Sequence, residues 1–255
     1  METVLILLLG LAIGIAVGLL GVGGGILIVP ALSILLGMNQ HLAQGTSLFI
    51  QLPPLGLGAL YAYWKRRQVD WRAGWTCALG FFLGGYFGSL IAIQIPADDL
   101  RAIFGVFLML AAMLLRRKSP HRGPGTEIMP ETFARLLSIF SVACVVGVLG
   151  GLLGVGGGIL LVPFLVLLFH FEQHRAQGTS LVALVPPTGL LAFLEYYRAG
   201  HVDWRVGLLI IPGVFFGGVV GSRLAQRLTP TRMRRVFAAF LFLLGAWEAV
   251  TAWWF

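Results

Sequence analysis

Two glycine-rich turns are the first candidates for binding chemistry. They contain Gly23, Gly24 and Gly25 in the first copy, and Gly156, Gly157 and Gly158 in the second. Glycine permits backbone conformations and close approach that other residues forbid, and the free N–H groups of a helix that follows the turn carry partial positive charge. Each turn is therefore a candidate anion-binding site. The alternative is that these glycines only allow membrane helices to pack closely.

A second motif, Gln-Gly-Thr-Ser, follows each turn. It comprises Gln44, Gly45, Thr46 and Ser47 in the first copy, and Gln177, Gly178, Thr179 and Ser180 in the second. We expect each copy to begin a helix whose first N–H groups are capped by the hydroxyls. The hydroxyls and the glutamine amide could instead donate to a bound oxyanion. Together with the turn glycines, the Gln, Thr and Ser positions form the predicted substrate-binding site, where four helix N-termini converge near the middle of the membrane.

Paired prolines interrupt the segment that carries this motif in each copy. The pairs are Pro53 and Pro54, and Pro186 and Pro187. Proline lacks the backbone N–H, so it breaks the helical hydrogen-bond ladder and frees carbonyl groups. We expect a hinge or a cavity wall at these positions, with a packed kink as the alternative.

Few titratable residues lie in or beside the apolar segments, where they could exchange a proton or bind an ion. Glu195 is the acidic residue nearest the interior of such a segment, followed by Glu248, and an intramembrane carboxylate is a functional candidate. Glu195 nevertheless stands beside two tyrosines and Arg198, a pattern typical of a membrane interface. His41 and His174, at matching positions before the Gln-Gly-Thr-Ser motifs, are either further coupling candidates or plain loop residues.

No catalytic or metal-binding constellation is recognisable in the apolar segments. They contain no Ser-His-Asp set, paired carboxylates or cluster of metal ligands, and the glycine turns lack the spacing of nucleotide-binding loops. Asp70 and Asp203, each in a Val-Asp-Trp-Arg sequence, are expected to cap helices while the tryptophan that follows lies at the membrane interface. We therefore expect neither an enzyme nor a protein that uses a metal or another cofactor.

An internal duplication organises all of these motifs. Residues 18–30, GLLGVGGGILIVP, recur at 151–163 as GLLGVGGGILLVP, and the same offset of 133 residues relates the other motifs. One long duplication in an apolar chain is typical of a transporter built from two halves. We divide the chain into a first membrane repeat at 1–117, a cytoplasmic linker at 118–132 and a second membrane repeat at 133–255.

The composition indicates a membrane protein. Of the 255 residues, 58% are hydrophobic and 11% are charged, whereas an ordinary soluble domain has roughly 25% charged residues. The net charge of +8 comes from basic residues between apolar runs, which fits the positive-inside bias of membrane proteins better than nucleic-acid binding. The expected partners are the lipid bilayer and a small anionic substrate, with no nucleic acid and with a homo-oligomer left open.

Each repeat divides into five apolar segments. They lie at about 3–20, 24–37, 44–63, 73–95 and 99–115, and at about 136–153, 157–170, 177–197, 206–227 and 233–252. The second of each set is shorter than the ~20 residues that span a bilayer, which predicts a half-helix or a re-entrant arm. Loop charges favour an odd number of crossings per repeat, hence an all-α integral membrane protein of two inverted-topology repeats with both termini outside. A single kinked helix at each glycine turn would make the number even and remove the inversion.

The paired GLLGVGGGI and AQGTS motifs resemble those of the sulfite exporter TauE/SafE family, also called the 4-toluene sulfonate uptake permease family. The resemblance covers essentially the whole chain. It implies a multi-pass carrier of small anions such as sulfite, sulfoacetate and other sulfonates, with the substrate held at the glycine turns and the Gln-Gly-Thr-Ser motifs. We therefore expect a secondary transporter that moves such an anion across the cytoplasmic (inner) membrane by alternating access. A passive anion channel and a non-transporting membrane scaffold are the alternatives.

Overall fold

The computed structural model describes residues 2–20, 25–53, 57–116, 133–155, 158–184, 186–225 and 230–252. All regular secondary structure in these ranges is helical. Within them, three helices are long and apolar enough to cross a membrane, namely Trp71–Gln94, Phe133–Leu153 and Trp204–Gly221. The expectation of an all-α membrane protein is confirmed.

Each half contributes six helices in the described ranges. In the first half these are α1 Glu2–Leu20, α2 Gly25–Pro30 with a π-helical continuation Ala31–Leu35, α3 Gln40–Gln51, α4 Leu57–Lys65, α5 Trp71–Gln94 and α6 Ala97–Arg116. In the second half they are α7 Phe133–Leu153, α8 Gly158–Phe169, α9 Gln173–Leu184, α10 Leu190–Arg198, α11 Trp204–Ala225 and α12 Pro230–Thr251. The order of the elements is therefore the same in both halves.

The second apolar segment of each half is a short helix, as predicted. Residues 25–35 form one apolar helical stretch and α8 has 12 residues. At 1.5 Å per residue these helices are roughly 16–18 Å long, about half of the ~30 Å hydrocarbon core. Neither is long enough to span a bilayer alone.

Local signals fix several helix ends. The Asp70 carboxylate accepts from the Ala73 N–H at 3.1 Å at the start of α5, and the Asp203 carboxylate accepts from the Val206 N–H at 2.9 Å at the start of α11. Both predicted N-caps are confirmed. A short polar side chain can satisfy an N–H group in the first turn that has no partner within the helix.

The predicted helix start at each Gln-Gly-Thr-Ser motif is wrong. Asn39 caps α3, because its side-chain oxygen accepts from the Leu42 N–H at 2.9 Å. The helix consequently begins at Gln40, and its counterpart α9 begins at Gln173. Both motifs lie in the second turn, where their N–H groups are already used within the helix, and their hydroxyls are free to face other elements. His41 and His174 likewise lie in helical first turns and not in loops.

The prolines interrupt the third apolar segment of each half. α3 ends at Gln51 before Pro53, and α9 ends at Leu184 before Pro186 and Pro187. We expected one helix in each of these segments, but each forms two, namely α3 and α4 in the first half and α9 and α10 in the second. The reason is that proline has no N–H group to donate to the helical hydrogen bonds. Pro54 lies outside the described residues, and a hinge at these breaks stays a prediction.

Long helices of one half pack against long helices of the other. α1 packs against α11, and α5 packs against α7, so the first helix of each half lies on the fifth helix of the other. Glycines line both contacts: Gly10 and Gly14 approach Gly213, and Gly147 approaches Gly84 closely enough that added Cβ atoms would meet backbone. Small residues allow membrane helices to approach in this way. The two halves thus form one interlocked unit.

The last helices of the two halves, α6 and α12, run in opposite directions. Gly105 lies beside Ala249, whereas Met109, one turn later in α6, lies beside Gly245, one turn earlier in α12. Because α6 and α12 occupy equivalent positions in the duplication, equivalent elements are antiparallel at this contact.

Candidate functional site

The start of α2, in the first half, contacts the segment that leads into the second glycine-rich turn. A Cβ added to Gly25, at the start of α2, would come within 2.5 Å of the backbone of Val155 in the second turn. Gly25 and Val155 are both buried. Gly158 is the first residue of α8, while Gly23, Gly24, Gly156 and Gly157 lie outside the described residues. The start of α2 therefore lies against Val155, just before the second glycine turn.

The residue that begins the second turn, Gly154, is also hydrogen-bonded to α3. Gly154 has a left-handed backbone with φ of 67°, and its carbonyl accepts from the Ser47 hydroxyl at 2.9 Å and from the Gln51 amide at 3.2 Å. A Cβ on Gly154 would lie 2.8 Å from the Cα of Gln44. Both the conformation and the close approach require glycine at this position.

Gln44 carries a buried hydrogen-bond donor that has no partner among the described residues. Its side chain is completely buried, and its Oε1 accepts from the Tyr196 hydroxyl at 2.7 Å, but its Nε2 is unpaired. Gln40, one turn earlier on the same face of α3 and 3% exposed, likewise has no partner for either amide atom within the described part of the chain. A buried polar group without a partner costs about 1–3 kcal/mol, so each such group calls for a ligand or a water.

These glutamines belong to a polar stripe along α3. Gln40, Gln44, Ser47 and Gln51 recur at helical spacing on one face of the helix, which is the spacing that places side chains in a row. The corresponding positions of α9 are Gln173, Gln177, Ser180 and Leu184. Three of the four positions are therefore polar in both halves. The Ser180 hydroxyl donates to the Gln177 carbonyl at 2.8 Å within its own helix.

The threonines of the motif join the two halves. The Thr46 hydroxyl oxygen accepts from the Asp203 N–H at 2.9 Å, and the Thr179 hydroxyl oxygen accepts from the Asp70 N–H at 3.0 Å. Both threonines are completely buried. The predicted substrate positions Thr46 and Thr179 thus bind the residue that precedes α11 and α5, respectively, in the other half. A role in anion binding stays a prediction.

The motif glycines allow this docking. A Cβ on Gly45 would overlap the His201 carbonyl oxygen, and a Cβ on Gly178 would overlap the Gln68 carbonyl oxygen. Gln68 and His201 are separated by the 133-residue offset of the repeat, so the same contact is made twice. Sequence reasoning identified both partner motifs but missed that they contact each other.

Two tyrosines that sequence reasoning missed complete the symmetric contacts. The Tyr63 hydroxyl donates to Gln177 Oε1 at 2.9 Å, which matches the Tyr196 contact with Gln44. Tyr196 is completely buried. The repeat offset relates Tyr63 to Tyr196, and this identity was the signal that could have found them.

The coupling candidates differ in their surroundings. His41 is buried, lies 3.0 Å through Nε2 from the Ala92 carbonyl oxygen, and stacks on His201 of the other half at 4.9 Å between ring centres. Burial, and then the charge of His41, lower the pKa of His201 below its ordinary value. His174 is exposed. Glu195 pairs with the exposed Arg198 at 2.6 Å near the end of α10, as expected of an interfacial residue.

Comparisons with known proteins point to a membrane transporter. Residues 6–247 match the family model described as Sulfite exporter TauE/SafE. A probable membrane transporter protein of Bacillus subtilis, YunE, is 31% identical over 96% of this chain and 96% of its own length. Probable membrane transporter proteins of Xylella fastidiosa (strain Temecula1) and Methanocaldococcus jannaschii are 32% and 25% identical, each over 94% of this chain and over 92% and 93% of their own lengths. No solved structure gives a significant match.

Proposed function

Because the chain belongs to the sulfite exporter TauE/SafE family of membrane transporters, we propose that it is a secondary carrier for a small oxyanion such as sulfite or an organic sulfonate. The anion binds between the two halves, where the glycine turns meet α3, and is exposed alternately to each side of the cytoplasmic membrane.

The unpaired Gln44 amide is the observation that supports this proposal most directly. It is a buried donor on the residue that contacts Gly154, and the next residue, Val155, contacts the start of α2. Helix N-termini and amide N–H groups both favour negative charge and offer no acceptor. An oxyanion would supply the missing acceptor.

The antiparallel crossing of α6 and α12 supports the inverted topology. A two-fold axis in the membrane plane reverses equivalent helices, whereas an axis along the membrane normal would leave them parallel. With the basic linker 118–132 in the cytoplasm, both termini would lie outside. The inversion gives the two turns equivalent access from opposite sides, which is what alternating access requires.

Transport by the purified protein is the direct test. Proteoliposomes are loaded with one anion and supplied with radiolabelled sulfite or a panel of small sulfonates outside. A carrier gives saturable flux that is stimulated by unlabelled substrate on the opposite side, whereas a channel gives flux without such stimulation. The absence of flux for every sulfur anion, from folded protein, would refute the proposed substrate class.

The site is tested by removing the Gln44 amide with its partner. Gln44→Met combined with Tyr196→Phe removes both polar groups of the 2.7 Å hydrogen bond, so neither is left unpaired by the loss of the other. The variant also loses the longer contact, 3.3 Å, between the Tyr196 hydroxyl and the Gly151 carbonyl, so its thermal unfolding is measured first. Hydrogen bonds to charged groups contribute about 1.5–3 kcal/mol, so we expect the Kd for the transported anion to rise roughly 10- to 100-fold. Gln94→Leu, at the exposed end of α5, is the control and should keep the original Kd. An unchanged Kd in the double variant would contradict the assignment.

A further inference from the structure

Glu248 is a completely buried carboxylate in the last turns of α12. Its Oε2 is 2.5 Å from Nε of Arg101 on α6, and its Oε1 accepts from the Ser33 hydroxyl on the π-helical segment at 3.3 Å. Three elements from the two halves therefore meet at one ionisable group. Sequence reasoning ranked it behind Glu195, which is paired near the surface.

The architecture does not require this cluster. At the offset of 133 residues, Ser33 corresponds to Val166 and Glu248 corresponds to Leu115, while Arg101 corresponds to Arg234. The second copy of the same fold position thus has apolar residues in place of the hydroxyl and the carboxylate. Removing an ion pair from water is costly, and a pair of apolar residues is often at least as stable. A buried carboxylate kept in one copy only is accordingly better explained by function than by packing.

The cluster is connected to the candidate anion site by one helix. Residues 25–35 form a continuous apolar helical stretch, with Gly25 against Val155 at one end and Ser33 against Glu248 near the other. The stretch ends in a π-helical segment, a form often found at functional positions. A change of charge at Glu248 therefore acts on the same rigid element that supplies one wall of the anion site.

We propose that Glu248 binds the proton that is transported together with the anion, an inference that rests on the proposed anion transport. A proton from water adds to the carboxylate, which becomes a neutral acid, and Arg101 remains a cation because guanidinium does not deprotonate in proteins. The Arg101 side chain is 25% exposed, so it can turn to water when its partner becomes neutral. One proton accompanying one monoanion makes uptake electrically neutral, which removes the opposition of about 2.3 kcal/mol per 100 mV that an inside-negative potential imposes on the anion alone.

Other charged groups on the elements packed against α12 are few in the described residues. On α6 they include Asp98 and Asp99 in the first turn beside Arg101, and on α1 there is Glu2 at the start. The π-helical segment contributes only the neutral Ser33. Arg101 is the charged group in contact with the carboxylate, so protonation changes one defined ion pair.

The test separates exchange from proton-driven accumulation. In proteoliposomes with the potential clamped at zero, the wild-type protein should accumulate the labelled monoanion about tenfold per unit of inwardly directed pH gradient, because one pH unit is one tenfold ratio of protons. Glu248→Gln should retain counterflow of labelled for unlabelled anion but lose the accumulation. Glu172→Gln, the same change at an exposed carboxylate just before α9, should keep both.

Each result has a defined meaning. If the wild-type protein shows no counterflow of the labelled anion, the proposed anion transport itself is refuted. Counterflow without pH-driven accumulation in the wild type, or full accumulation by Glu248→Gln, would overturn the coupling role. If Glu248→Gln does not fold because Arg101 lacks its partner, Glu248→Gln with Arg101→Gln restores the charge balance. Calorimetry of anion binding in buffers of different ionisation enthalpy provides a separate check. The wild type should take up one proton per bound anion, and binding without proton uptake would overturn the inference.

Discussion

Replacing Thr179 by valine tests whether the motif hydroxyls join the two halves. The hydroxyl oxygen accepts the Asp70 N–H at 3.0 Å, and valine keeps the shape of the side chain but removes this acceptor. Asp70 is 8% exposed, and its carboxylate also caps α5 and pairs with Arg175 at 2.9 Å. Water therefore has little access to the N–H group that loses its partner.

The expected cost follows from this burial. Leaving a buried donor unsatisfied destabilises a protein by about 1–3 kcal/mol. Thr46→Val removes the equivalent hydrogen bond, in which the Asp203 N–H donates at 2.9 Å, but Asp203 is only partly buried. The arginine that pairs with Asp70, Arg175, corresponds to Leu42 in the other repeat, so Asp203 has no equivalent arginine. Water can replace that acceptor, so we expect a smaller loss of about 0.5–1.5 kcal/mol. The two costs should add because the loops are separate.

Equilibrium unfolding in mixed detergent micelles measures these differences. Thr76→Val is the matched control, because the Thr76 hydroxyl only donates to the Arg72 carbonyl within α5. The free energy of unfolding should fall in the order Thr76→Val, Thr46→Val, Thr179→Val, from most to least stable. Equal stability of all three variants, together with a raised Kd for the anion in the two motif variants, would refute the joining role and support direct anion binding.

Two further perturbations follow from the backbone of Gly154 and from the stacked histidines. Gly154→Ala should destabilise the protein more than Gly37→Ala in the same unfolding assay. Both glycines have a positive φ, a conformation that costs alanine about 1–2 kcal/mol. A Cβ at Gly154 would in addition overlap Gln44, and this overpacking adds roughly 1–3 kcal/mol, whereas a Cβ at Gly37 would meet no atom within 4 Å. Equal losses would show that the turn moves freely away from α3. The lowered pKa of His201 means that the unfolded state binds more protons, so stability should fall as the pH drops below about 6.5. His201→Gln should weaken this dependence, and an unchanged pH profile would contradict the contribution of the His41 stack.

Much of the fold was predictable because its signals are local or repeated. The membrane class follows from composition, the short second segments follow from length, and the breaks near Pro53 and Pro186 follow from the chemistry of proline. Asp70 and Asp203 were recognisable as N-caps since a cap satisfies N–H groups only a few residues away. The start of α3 was misplaced because Asn39 caps the helix, so that it begins at Gln40, four residues before Gln44.

The candidate site was only partly predictable. Sequence reasoning selected Gln44 and Thr46 for one purpose, but the structure gives them different neighbours: an unpaired amide beside the second glycine turn, and a hydroxyl bound to the Asp203 backbone. Side chains two positions apart on a helix point in different directions. Both side chains meet the other half, and which of its groups each one meets depends on where that half packs.

The sequence by itself determined the class of protein, the duplication, the family resemblance and most helix boundaries, because composition, periodicity and capping act within a few residues or repeat visibly along the chain. Only the tertiary structure decided that Thr46 and Thr179 hold the opposite half, that Tyr196 orients Gln44, and that Glu248 is the buried carboxylate while Glu195 lies near the surface. These contacts join residues more than 100 positions apart, and burial in a membrane helix depends on which face its neighbours cover.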